Sequence, residues 1–234
     1  MNSSKAPANV VASVHQRLLN LAHQGEGDFQ MLLTRYGLER LMYRVTRLDT
    51  EGRFILKGAL AFCLWEGRLH RATRDLDFLG SGDSSAAYFA VFFRAICDLE
   101  VEEDGIRLDE QSLEIRQMRE DEEYQGVRVQ LMARLGTSRI PLTVDFGFGD
   151  VVTPPPAEVD FPALLGFPKP RLLAYHRETV IAEKFWIMVH LEQANTRLKD
   201  YYDLWTLAKR FSFEGEALCQ AMQATFARRK TALP

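Results

Sequence analysis

Apolar residues recur at helical spacing at Val10, Val11, Val14, Leu18 and Leu21 and stop at Gly25, which predicts an opening amphipathic helix. Asp28 is placed to cap a second helix with Phe29, Leu32, Leu33 and Tyr36 on one side, and Gly37 is expected to bend or break it before LERLMYRV. Phe54-Ile55-Leu56 is a short apolar run ended by Lys57-Gly58, after which ALAFCLW reads as a helix. A polar loop, RLHRATR, then runs into Asp75-Leu76-Asp77-Phe78-Leu79, whose alternation predicts a strand with both carboxylates on one face. Ser84 and Ser85 can cap a helix through AYFAVFFRAI.

From Gly105 to Asp150 the period becomes two, in SLEIRQM, GVRVQLMARLG and IPLTVDFGFGD, which fits three antiparallel strands in a meander. The stretch from Val151 to Leu173 holds six prolines and is expected to form no regular element, only a linker or wrapping arm. Beyond it RETVIAEKFWIMVHL is apolar nearly all round and should be a buried helix. The turn QANTR joins it to the amphipathic LKDYYDLWTLAKRF as an antiparallel pair. The predicted fold is α/β (α+β), a small mixed sheet with helices before it and a helical part after it. Its expected divisions are 1–152 for the N-terminal helices and core, 153–172 for the proline-rich linker and 173–234 for the C-terminal helical part.

Composition narrows the class. At 234 residues, 47% hydrophobic and 26% charged, the chain can bury its own core without disulfides or structural metal. No stretch is long and apolar enough for a membrane helix, and MNSSKAPANVV lacks the layout of a signal peptide, so a cytoplasmic protein with no membrane contact is expected. Cys63, Cys97 and Cys219, odd in number and widely spaced in apolar surroundings, read as buried free thiols in a reducing compartment, without zinc-ligand spacing. A net charge of −3 excludes a globally basic nucleic-acid coat and leaves local patches, at Arg68, His70, Arg71 and Arg74 and at Arg228, Arg229 and Lys230.

The sharpest chemical feature is Asp75 and Asp77. Two carboxylates two apart on a strand project together and repel unless a cation sits between them, and Mg²⁺ commonly binds through one or two carboxylates plus substrate phosphates. Lys57-Gly58 puts a glycine at a strand-to-helix turn where phosphate could approach backbone N–H groups, and Arg71, Thr73 and Arg74 offer cations and a hydroxyl nearby. Asp145, in the strand Leu142-Thr143-Val144-Asp145-Phe146, would complete a metal-binding triad if that strand lay beside the first; otherwise it is a surface carboxylate. Lys184 in an apolar helix must snorkel or find a partner. Glu178 or Asp200 would make it structural, a nucleotide phosphate would make it functional, and Asp200 and Asp203 could flank it across the hairpin.

Taken together, LKGALAFCLWEGRLHRATRDLDFLG resembles the signature of the AbiEii/AbiGii nucleotidyltransferase-like toxins, relatives of the polymerase-beta-type nucleotidyltransferases. LERLMYRV, YQGVRVQLMARLG, IPLTVDFGFGD, ETVIAEKF and RLKDYYDLW follow in the family's order, from about Val10 to Phe211. The resemblance implies a nucleotidyltransferase-like sheet core, Lys57-Gly58 as the opening glycine motif, Asp75 and Asp77 as the metal-binding pair, Lys184 as the nucleotide-contacting lysine and Asp200 or Asp203 as the later acidic motif. It further implies NTP as substrate, Mg²⁺, an RNA acceptor such as a tRNA 3′ end, and a cognate antitoxin in a toxin-antitoxin or phage-defence pair. General nucleotidyltransferases carry Gly-Ser or Gly-Gly where this chain has Gly58-Ala59, so no serine hydroxyl stands there for a phosphate. Two other readings share these residues: transfer of a nucleoside monophosphate to a protein hydroxyl, and an inactive nucleotide-binding or interaction module.

Overall fold

The computed structural model describes residues 9–119 and 125–234. The first eight residues, which carry most of the signal-peptide argument, and Tyr124 of the YQGVRVQLMARLG stretch lie outside the described residues. Helices α1 (Val10–His23) and α2 (Phe29–Leu48) open the chain, and the Asp28 carboxylate accepts from the Gln30 and Met31 amides at 2.8 and 3.3 Å, capping α2. Contrary to expectation, α2 runs through Gly37 unbroken. A Cβ there would come 3.0 Å from Leu142 and 3.1 Å from Ile140, so the glycine lets the helix lie close on the sheet.

Strand β1 (Phe54–Lys57) leads through a 3₁₀ turn at Ala59–Ala61 into α3 (Phe62–Glu66). Then come β2 (Asp75–Gly80), α4 (Ala86–Asp98) capped by Ser85, and the meander β3 (Ile106–Arg119), β4 (Gln125–Leu135) and β5 (Ser138–Phe148). The proline-rich stretch is not free of regular structure. It carries β6 (Ala157–Asp160) and the start of β7 (Arg171–Ala174), with Pro154, Pro155, Pro156, Pro162, Pro168 and Pro170 all outside the two strands. Proline disturbs a ladder only where its missing N–H is needed, so flanking prolines leave both strands intact.

Among the described residues the sheet therefore has seven strands in the order β3-β4-β5-β2-β1-β7-β6, larger than the small sheet expected, with β2 parallel to β5 and β1 parallel to β7. Helix α5 (Arg177–Leu191) follows, then a 3₁₀ turn, α6 (Leu198–Arg210) and α7 (Gly215–Arg228), both packed on α5. Helix α5 is less buried than its composition suggests: Thr179, Val180, Ala182 and Trp186 are enclosed, while another flank faces a cleft. Cys63 is buried and Cys97 half-buried, but Cys219 is exposed on α7, correcting that part of the thiol reading. Among the described residues no helix is long and apolar enough to cross a membrane.

Alternation along the strands separates two faces. Leu56, Leu76, Phe78, Val144 and Phe146 point into the main core beneath α2 and α4. Helix α2 is buried almost throughout, charges included. Arg40 Nε and Arg44 Nη1 donate to Asp104 Oδ2 at 2.9 and 2.8 Å, satisfying charges that would otherwise be costly in the core. On the opposite face Phe62, Leu79, Tyr175, Val180 and Leu207 form a second apolar cluster, with Ile55 against it, and fasten α5 and α6 over the sheet.

Candidate active site

The second face of the sheet carries the chemistry. Lys57 pairs in register with Asp77, Asp77 with Asp145, and Asp145 with Arg128, so one row across β1, β2, β5 and β4 reads cation, carboxylate, carboxylate, cation. Asp75 lies two residues before Asp77 on the same face, opposite Thr143. Above the row a cleft of about 430 Å³ is closed by α5 and α6; its walls include Gly58, Arg71, Lys184, Lys199 and Asp200. That volume lies within the range of small-molecule sites.

Most charges in the cleft are answered. Arg128 donates to both Asp145 oxygens at 2.8 and 2.7 Å. Lys57 Nζ lies 3.3 Å from both Asp150 and Glu183, and Tyr175 donates its hydroxyl to Glu183 at 2.8 Å. Burial pushes the Lys57 ammonium down, but the Glu183, Asp150 and Asp77 carboxylates outweigh it and hold its pKa above the ordinary value. Arg229 reaches Asp150 at 2.6 Å from the end of the chain.

The exception is the Asp75–Asp77 pair. Among the described residues neither carboxylate has a cation at ion-pairing distance. Burial first, then the charge of Asp145 and that of Asp75, push Asp77 up to about 6 against the opposing pull of Lys57 and Lys199. Two adjoining carboxylates short of positive charge suit a hard divalent cation that takes its other ligands from substrate phosphates. The fit is to a two-carboxylate seat. Among the described residues no cluster of three or more His, Cys, Asp or Glu side chains is arranged around a metal position, and Asp145 is committed to Arg128.

Gly58 makes room for one of the two carboxylates. Its backbone lies at φ 70° and ψ −157°, a region open to glycine, and a Cβ would come 2.7 and 2.8 Å from Asp77 Cγ and Cβ. The missing side chain thus makes room for the carboxylate itself. Gly58→Ala is expected to lose about 1–3 kcal/mol of stability from backbone strain alone. It should also displace Asp77, so transfer should fall by more than the melting shift explains; a thermal melt beside a rate measurement checks both.

Other residues singled out in the sequence are placed unequally. Lys184 Nζ sits between Asp200 Oδ1 at 2.6 Å and Asp203 Oδ2 at 2.8 Å, and Arg197 also binds Asp200, at 2.6 Å. Asp203, fully buried, further accepts from His70 and from Arg71 Nε, each at 2.6 Å, tying α6 to the loop before β2. Its pKa is held well below the usual carboxylate range: burial opposes the charge, and the bonds from Arg71, His70 and Lys184 overcome it. Thr73 turns its hydroxyl toward the Asp75 carbonyl at 3.4 Å, and Arg74 is exposed; neither lines the cleft.

Arg128, Asp150, Tyr175 and Glu183 escaped sequence reading. Only Arg128 had a local signal: the two-residue turn Gly136-Thr137 fixes the β4–β5 register, and counting outward from it sets Arg128 opposite Asp145.

Residues 40–234 match the family model described as nucleotidyl transferase AbiEii toxin, type IV toxin-antitoxin system. The chain belongs to the AbiEii nucleotidyltransferase toxin family. None of the curated proteins matches it in sequence. Two solved Helicobacter pylori structures share the AbiEii chain's fold. One, described as a candidate nucleotidyltransferase, has 16% identity and a TM-score of 0.51 over 81% of this chain and 78% of its own. The other, JHP933, has 15% identity and a TM-score of 0.50 over 80% and 76%. As an AbiEii member the protein is a nucleotidyltransferase, an enzyme class that uses an NTP and generally a divalent metal, in a family described as the toxin of a type IV toxin-antitoxin system.

Proposed function

We propose that this enzyme transfers a nucleoside monophosphate from an NTP to an RNA hydroxyl, in the manner of a tRNA 3′ end, with Mg²⁺ on Asp75 and Asp77. A cognate antitoxin would restrain it in a phage-defence setting in the cytoplasm. The observation that carries the reading is the Asp75–Asp77 pair, without a cation partner among the described residues while every carboxylate around it has one. A divalent ion held there would supply charge neutralisation for the triphosphate and lower the pKa of the attacking hydroxyl.

The chain's own residues divide the remaining work. Gly58 gives Asp77 its place, and Arg128 fixes the orientation of Asp145 beside it. Lys184, aimed by Asp200 and Asp203, and Arg71, aimed by Asp203, set positive charge on the wall where a triphosphate would lie. The acceptor oxygen attacks the α-phosphorus and the bond to the β-phosphate oxygen breaks. Pyrophosphate leaves, and the hydroxyl proton passes to a carboxylate of the row.

Because a metal must displace the proton from Asp77, Mg²⁺ affinity should fall below pH 6, by up to about tenfold per pH unit. The melting shift produced by Mg²⁺ should therefore be clear near pH 7.5 and nearly gone near pH 5; an equal shift at both would contradict the two-carboxylate seat. The reading itself is tested with each α-³²P-labelled NTP, Mg²⁺ and total bacterial tRNA, with Asp77→Asn alongside. Label on RNA that requires Asp77 supports it. Label on protein alone moves the acceptor to a protein hydroxyl, and nucleotide binding without any label favours an inactive module.

A further inference from the structure

Helix α6 is amphipathic in the reverse of the usual sense. Its enclosed positions are Asp200, Asp203, Thr206 and Leu207, while Leu198, Tyr201, Tyr202 and Trp205 are 77%, 40%, 41% and 55% exposed. An apolar stripe at helical spacing normally faces a core. Here both carboxylates of the helix turn inward to Lys184, Arg71, His70 and Arg197, and the rings turn outward.

The rings are ordered. Phe62 stacks on His70 at 3.7 Å and 21°, His70 on Tyr202 at 5.9 Å and 10°, and Tyr202 on Trp205 at 5.8 Å and 24°. The column rises from the buried Phe62 to an indole open to solvent, next to a helix turn whose Lys199 and Asp200 line the cleft. Exposed cations lie close to it along the chain: Lys199 and Lys209 on α6, one helical turn from Tyr202 and Trp205, and Arg68 and Arg74 on the loop that carries His70. Near-parallel rings flanked by cations match how single-stranded nucleic acid is held, each base continuing the stack while phosphates meet Lys or Arg.

We propose that Tyr202 and Trp205 form a stacking platform for an unpaired base of the RNA acceptor, placing its terminal hydroxyl at the cleft. This rests on the RNA-acceptor reading and adds where that acceptor is held. A protein partner would also use exposed rings. The neighbouring cations and the parallel column favour nucleic acid.

The test uses the full chain and a 5′-fluorescein single-stranded RNA of about 12 nucleotides, with the same RNA annealed to its full complement. Wild type should bind the single strand more tightly than the duplex. Trp205→Ala should weaken single-strand binding between about 5- and 100-fold, and Trp205→Phe, which keeps a ring, should recover most of it. Independently of any folding defect in the alanine variant, the single strand should quench tryptophan emission of wild type, and Trp205→Phe should lose that response. In transfer assays Trp205→Ala should raise KM for RNA and leave KM for NTP in place. If wild type binds and labels RNA and Trp205→Ala does so equally, the platform is wrong and the RNA reading stands. If wild type neither binds nor labels RNA while a purified protein partner shields Trp205, both readings fall.

Discussion

Asp77→Asn is expected to cut nucleotide transfer by on the order of 10³ or more while leaving the melting temperature unchanged or higher. The two halves have one cause. Asp77 is raised to about 6 because its charge is disfavoured by burial and by Asp145 and Asp75, so at neutral pH the ionised side chain works against the fold. The sign follows from linkage. A carboxyl whose folded pKa lies above its unfolded value favours the native state when protonated, and that contribution is lost as pH rises through about 6. An asparagine of the same shape removes the repulsion, so any gain should be present near pH 7 and vanish toward pH 4. Lys57 stays balanced by Asp150 and Glu183, so the substitution leaves no orphaned cation. Melting curves at several pH values beside single-turnover transfer with labelled NTP check the pair. A variant that keeps its rate would end the metal assignment, whereas a variant that melts far lower would mean that Asp77 is structural.

What could be read without coordinates follows the range of the signal. Asp28 and Ser85 cap helices where local chemistry places them, and the 105–150 meander forms because period two and its turns are local properties. Gly37 misled because a glycine that permits close packing and one that ends a helix look alike until the strand beneath is known. The proline-rich stretch misleads because its prolines are grouped outside the four-residue strands, β6 lying between Pro156 and Pro162 and β7 starting just after Pro170. At the site, Asp75 and Asp77 were legible from spacing, but what separates them from the other carboxylates was not. Asp145 and Asp203 look as promising in sequence; the register of a two-residue hairpin turn is the one local hint that Asp145 meets Arg128, and the tertiary fold alone commits Asp203 to His70, Arg71 and Lys184. The same distance hides Glu183 and Asp150, whose contact with Lys57 joins segments far apart along the chain.

The commitment of Asp203 carries the second large prediction. Its side chain is fully buried and binds three basic groups from two parts of the chain, so Asp203→Ala leaves Arg71 and Lys184 partly enclosed without their shared anion. Removing one member of such a buried cluster costs about 3–5 kcal/mol. In a chain of this size that amounts to a fall of roughly 10 °C in melting temperature. The pH dependence is opposite in sign to that of Asp77. Because the folded pKa lies below the unfolded one, the stabilisation is complete above the ordinary carboxylate range and is lost only as pH falls beneath it. The advantage of wild type over Asp203→Asn should therefore shrink as pH falls beneath the ordinary carboxylate range. Function should suffer through position: Arg71 and Lys184 lose the group that aims them, so KM for NTP should rise even at temperatures where the variant is folded. Transfer rates at 15 °C, well below the lowered midpoint, separate this from simple unfolding. An Asp203→Ala enzyme with an unchanged melting temperature and NTP KM would show that α6 is held over the cleft by its apolar contacts, Leu207 above all, and that the buried cations find water instead.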